Sequence, residues 1–165
     1  MRRIGVLSDT HLPECTELFQ RQARDAFANC QAVIHAGDLT DTDILSAFPG
    51  IDVYAVHGNM CNARTQATLP HHRTVRFGQF TIGICHGAGS RQGIEDHLIT
   101  LFPAVDCIVF GHTHRPLQTR IGAVLLVNPG SFAGTGRYGA PGTYAILSIG
   151  EHGISAAIYE LPALP

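Results

Sequence analysis

Two carboxylates, one amide and four imidazoles recur along this chain in short polar settings: Asp9-Thr10-His11, Gly37-Asp38, Gly58-Asn59, His86-Gly87 and Gly111-His112-Thr113-His114. Such a donor set suits borderline or hard divalent metals such as Mn, Fe, Zn or Co. Seven donors exceed what one ion takes. A tetrahedral ion uses four, so seven donors with one carboxylate shared supply two ions and leave positions for water and substrate. In an extended segment, residues i and i+2 lie on the same side, so Asp9 with His11, and His112 with His114, are each expected to face one centre. Taken singly, each motif also reads as a polar pair capping a turn; their ordered recurrence, each after an apolar run, points to one site.

The elements that position these donors are short. Of the aliphatic and β-branched runs at 3–7, 32–35, 52–57, 80–85, 106–110, 123–127 and 143–148, most are apolar on both faces, the pattern of strands covered on each side. Helical stretches fall between several of them. From Thr16, a candidate N-cap, the residues Leu18, Ala23, Ala26, Phe27 and Cys30 share one face; after Ser90, so do Ile94, Leu98, Leu101 and Phe102. Later, Gly78-Gln79, Gly122 and Gly150 mark hairpins, so an α/β start gives way to antiparallel strands. Parallel strands end on one edge, and open α/β sheets bind ligands there. Glycines 37, 58, 87 and 111 let the backbone turn beside such a site, Asn128 and Ser131 follow the 123–127 run, and the glycine-rich stretch 133–142 reads as a loop nearby.

Composition narrows the function. The 165 residues, 45% hydrophobic, read as one domain spanning 1–165 that buries roughly 70% of its unfolded surface. A net charge of −2 offers no bulk cationic face, so small partners are expected and long nucleic acid is not. All eleven positive charges are arginine, which excludes a lysine Schiff base and a P-loop lysine. Five cysteines without CxxC spacing favour reduced thiols. With no apolar window near ~18 residues and no export signal, a cytoplasmic protein with no membrane anchor is expected. Of the remaining histidines, His35 and His57 suit packing roles beside strands, while His71, His72, His97 and His152 suit solvated positions. Arg137, in the glycine-rich stretch, is the first candidate for phosphate recognition and Arg115 the second. A homo-oligomer is a base-rate expectation only.

The series D-x-H (9–11), GD (37–38), GN (58–59), His86, GHTH (111–114) and NPGS (128–131) closely resembles the calcineurin-like metallophosphoesterase superfamily, and the short chain its small YfcE-type phosphodiesterase branch. The resemblance implies a four-layer α/β/β/α sandwich of two mixed β-sheets flanked by helices. It implies two divalent transition-metal ions, Mn first, with Fe, Zn, Co or Ni as alternatives. One would be held by Asp9, His11, Asp38 and His114, the other by Asp38, Asn59, His86 and His112, with Asp38 as the bridge. The activity implied is hydrolysis of small phosphodiesters by a metal-bridging hydroxide, with Asp38, Asn59 and His86 as catalytic residues, and with Asn59 and Arg137 contacting the substrate. Two departures matter. Met60 and Cys61 stand where the family tends to place His-Asp or His-Glu, and this branch often Cys-Asp; neither is a usual proton donor, so activated or cyclic diesters are expected to be preferred. Cys61 reads as a buried hydrophobe. The alternatives are a noncatalytic scaffold of the retromer-subunit type, which shares the fold, and a phosphomonoesterase or protein phosphatase.

Overall fold

The computed structural model describes residues 1–134 and 140–163. Among these, ten strands form two five-stranded sheets. In the first, β1 (Arg2–Leu7), β2 (Ala32–His35) and β3 (Asp52–Ala55) run parallel. The second contains β4 (His72–Phe77), β5 (Phe80–Cys85), β6 (Cys107–Val109), β7 (Leu117–Ile121) and β8 (Val124–Asn128), ordered β4-β5-β6-β8-β7 with β5, β6 and β8 parallel. The chain then returns to the first sheet: β9 (Thr143–Ile149) pairs antiparallel with β1, and β10 (Ile154–Glu160) with β9.

Alternation along the strands sorts apolar side chains into three interfaces, as the period of two requires. Ile4, Val6, Ile34, Ile82, Ile84, Val109, Leu125 and Val127 meet between the sheets. Leu7 and Val33 face the opposite way, onto Phe19, Ala23 and Phe27 of helix α1 (Glu17–Phe27). Ile108 and Leu126 face Ile94 and Leu98 of a helix over Ile94–Leu101. Three interfaces make four layers, the α/β/β/α sandwich that the resemblance implies. Each sheet seats a phenylalanine on a glycine: a Cβ on Gly5 would strike the Phe27 ring, and one on Gly83 would come within 2.7 Å of Phe102.

Several expectations need correction. The apolar runs at 52–57 and 106–110 form strands only over Asp52–Ala55 and Cys107–Val109, because the backbone turns into loops beyond them. β4 and β7 were signalled by their hairpin turns but not by an apolar run, since half of each strand faces solvent. Thr16 caps α1 as expected, yet the buried stripe begins at Phe19, and Leu18 is 39% exposed. A 3-10 helix over Thr42–Ala47, capped by Asp41, and helix α2 (Ala63–Thr68), capped by Asn62, are too short to show a helical period in sequence. With α2 in place, the Ile94–Leu101 helix is α3.

Candidate metal centre

Each cluster residue sits just past the carboxyl end of a parallel strand: Asp9 and His11 after β1, Asp38 after β2, His86 after β5, His112 and His114 after β6. Extended geometry does not bring the pairs together, contrary to the sequence expectation. Asp9, His11, Asp38, Thr40, His112 and His114 all have positive φ, between 49° and 73°. Three loops therefore repeat one device, a left-handed residue at i and again at i+2. Each such non-glycine residue costs of order 1–3 kcal/mol and persists only where its surroundings impose it. Here the constraint is backbone hydrogen bonding between loops: Asp9 N–H donates to Gly37 O (2.9 Å), His11 N–H to Asp38 O (3.0 Å), and Gly111 N–H to His86 O (3.1 Å).

The side chains converge in two overlapping groups, Asp9 with His11 and His114, and Asp9 with Asp38 and His86. His114 Nε2 lies 3.0 Å from Asp9 Oδ1, and His86 Nε2 lies 3.0 Å from Asp38 Oδ2 and 3.8 Å from Asp9 Oδ1. His11 Nε2 and His114 Nε2 are 3.3 Å apart. Imidazole nitrogens at about 2.0–2.1 Å from one tetrahedral ion are themselves about 3.3 Å apart, so this spacing fits joint ligation. Asp9 Oδ1 and His86 Nε2 are buried and, despite these short approaches, have no aligned hydrogen-bond partner. Among the described residues, the only basic side chains within 4.0 Å of either carboxylate are imidazoles. Two buried anions without an arginine between them call for a cation. The donors fit divalent metal.

The carboxylate common to the two groups is Asp9, and Asp38 lies beside it, its Oδ1 accepting the Met60 N–H (2.7 Å) and its Oδ2 turned to His86. Burial pushes the Asp38 pKa up, but the His86 contact, the Met60 N–H and the nearby His11 together leave the carboxyl below its ordinary value. Burial likewise pulls His86 down, and the contact with Asp38, with Asp9 nearby, raises it above the ordinary value.

A second layer aims these donors. His86 Nδ1 lies 2.8 Å from Ala36 O, so Nδ1–H donates and Nε2 keeps its lone pair for the centre. His112 Nε2 lies 3.0 Å from Gly89 O, which leaves Nδ1 free, and its ring packs on His86 with centroids 5.4 Å apart. The Ser8 hydroxyl is 2.7 Å from Asp9 Oδ2, and the Ser131 hydroxyl donates to Asp9 O (2.9 Å). Asn128 Nδ2 donates to Gly111 O, and its Oδ1 accepts from Gly130 N–H, so the NPGS segment braces the GHTH loop. Fully buried His35 accepts from Gly37 N–H at Nδ1 (3.2 Å) and therefore presents Nε2–H to Thr10 Oγ1 (3.2 Å). Burial, only partly offset by Asp9, lowers its pKa to about 3, so it ties the β1 and β2 loops together as a neutral group. Gly58 and Gly111 serve by lacking a side chain: a Cβ on Gly58 would strike Asp38 Oδ1, and one on Gly111 would lie 2.8 Å from Asp9 Oδ2.

Ser8 and Thr10 were missed in sequence, although both are small polar residues flanking Asp9 at the end of an apolar run. Asn59 is exposed and, among the described residues, makes no side-chain hydrogen bond to the cluster. Met60 is 59% exposed, while Cys61 is buried in the α1 core with Sγ accepting from Gly58 N–H (3.3 Å). Arg115 is exposed, and Arg137 lies outside the described residues. A groove of about 540 Å³ opens beside Thr10 and His11. Among the described residues no helix is long and apolar enough to cross a membrane.

Known proteins are similar to this chain in sequence and in fold. A probable metallophosphoesterase of Methanothermobacter thermautotrophicus is 34% identical over 131 residues, covering 78% of this chain and 76% of its own. A phosphodiesterase of Methanocaldococcus jannaschii is 26% identical over 149 residues, covering 80% and 85%. Among solved structures, an archaeal phosphodiesterase superposes with a TM-score of 0.76 at 23% identity (95% and 99% covered), and zinc-complexed Vps29 from Entamoeba histolytica with 0.70 at 20% (96% and 98%). At such identities the structures share the fold. The calcineurin-like phosphoesterase superfamily domain matches residues 1–152, and with the 34% identical relative this shows that the chain belongs to that superfamily.

Proposed function

We propose that this chain is a binuclear, metal-dependent phosphodiesterase for small or activated phosphodiesters. One observation carries the reading: two donor groups overlap at Asp9, and the buried Asp9 Oδ1 and His86 Nε2 atoms have no aligned hydrogen-bond partner in the protein. Two divalent cations, Mn first, would lower the pKa of a water and neutralise charge on phosphoryl oxygens. The chain supplies the rest. Asp9 and Asp38 would provide the negative charge that holds the cations, His11, His86, His112 and His114 would complete the donor set, and Asn59 would meet a phosphoryl oxygen. Arg137 is the candidate second contact to phosphate. Met60 offers no proton to a departing alkoxide, so the leaving group must be activated or strained in a ring. The M. jannaschii relative named as a phosphodiesterase supports this choice of ester.

After loading with Mn, purified protein should carry about two ions per chain by elemental analysis and hydrolyse bis(4-nitrophenyl) phosphate. Asp38→Asn should lose both properties; undiminished turnover in that variant overturns the reading. The likeness to Vps29 favours a second reading, a noncatalytic scaffold. Because a Vps29 is described in complex with zinc, metal content alone does not separate the two. Turnover does: a metal-loaded chain inert toward every aryl and cyclic diester would be the scaffold.

A further inference from the structure

Helix α1 and the loops that flank it form one wall of the groove beside His11, and nothing in the metal centre explains that groove. Its lining includes Leu12, Leu18, Phe19, Phe132 and Leu161, with Thr16 and Gln22 as polar contributors. We propose that it receives one uncharged, apolar ester arm of the phosphodiester, an aryl ring or a chain of similar bulk; the proposal rests on the phosphodiesterase reading and names its substrate class.

Continuity is the first ground. Thr10 and His11 belong both to the metal-site loop and to the groove wall, so an arm leaving a phosphoryl group at His11 and His114 enters the groove directly. The second ground is the apolar character of the described wall, where Leu12, Leu18, Leu161, Ala133 and Pro162 predominate. An apolar ring would meet Leu12 and Leu18 along this wall, with Phe19, Phe132 and Leu161 buried behind them. Size is the third. An apolar cavity of about 150 Å³ holds benzene, and the groove offers about 540 Å³.

The test compares two diesters with the same leaving group, 4-nitrophenyl phenyl phosphate and 4-nitrophenyl methyl phosphate, on Mn-loaded protein. Burial of the ring predicts a preference in kcat/KM of at least about tenfold for the phenyl ester. Leu18→Glu, at an exposed position of α1, and Gln22→Glu, which keeps the shape of a half-buried polar side chain, should each bring that ratio close to one. A readout independent of metal accompanies it: benzyl alcohol titrated into the metal-free, ¹⁵N-labelled chain should shift the amides of Leu12, Leu18 and Gln22, and methanol should not. Equal rates on the two esters, or unmoved groove amides, overturn the proposal while leaving the hydrolase reading intact. Turnover of neither ester overturns the hydrolase reading, and the substrate assignment falls with it. A dimer that Leu18→Glu dissociates would assign the groove to a second copy of the chain and equally overturn the proposal.

Discussion

The floor of the metal centre and its rim are built from the same residue types under opposite conditions. Asp9, Asp38 and His86 on the floor are at most 4% exposed, and three of their atoms are fixed by the Ser8 hydroxyl and the Met60 N–H as donors and by Ala36 O as acceptor. His11 and His114 on the rim are 27% and 34% exposed and contact chiefly each other and Asp9. Asn59 is more exposed still. The floor thus carries desolvated charge that only a cation relieves, and the rim keeps the solvent access that water and substrate need. One half fixes where the ions sit; the other leaves them reachable.

Deleting charge from the floor should produce the largest effect. Asp9→Asn preserves shape but removes the anion common to both donor groups, and should cost on the order of a thousandfold in turnover together with most bound metal. His114→Ala on the rim should cost less and retain metal at the Asp38–His86 end; equal losses in metal content for the two variants would break the contrast. Gly58→Ala leaves every donor in place yet drives a methyl into Asp38 Oδ1, and should lower turnover by about a hundredfold with a stability loss of about 1–3 kcal/mol in urea unfolding. Full activity there would show that the floor yields.

Met60→His sharpens the comparison from the rim side. An imidazole at this exposed position should raise the rate on an unactivated alkyl diester by about tenfold and leave aryl esters nearly unaffected, which parallel assays of the two ester classes would show. The smallest effect concerns His35 beneath the floor. Its folded pKa of about 3 lies below the 6.5 of the unfolded chain, which therefore binds a proton the folded chain refuses. The stability it contributes is present above about pH 6.5 and is lost as pH falls toward 3, with a slope of up to about 1.4 kcal/mol per pH unit. In chelator-treated protein, urea unfolding of the wild type should follow that slope and His35→Gln should be flatter. The surrounding Asp9, Asp38, His86 and His11 are common to both proteins, so the difference isolates His35.

Much of the centre was legible because its signals are local. The runs 32–35 and 80–85 are buried on nearly all faces and coincide with β2 and β5, and the residues that follow them are Asp38 and His86. β7, with exposed Gln118 and Arg120, carried no such run and was visible only through its turn. Leu18 was misassigned to the core because a helix of three turns allows more than one apolar stripe, and packing against Phe48 and Phe132 chose the one through Phe19. His35 was legible as a packing residue but not as the link between Thr10 and Gly37.

By itself, the sequence determined which donors exist and that each follows a strand, because residue type and periodicity are properties of neighbouring positions. Tertiary structure alone decided that Asp9 is common to both donor groups, that six residues turn left-handed, and which nitrogen of His86 and His112 is free. Those outcomes depend on atoms from segments as distant as His11 and His114, 103 residues apart, meeting where two sheets close upon each other. No local pattern encodes such a meeting; the packing of Ile4, Val6 and Ile34 of one sheet on Ile84, Val109 and Val127 of the other does.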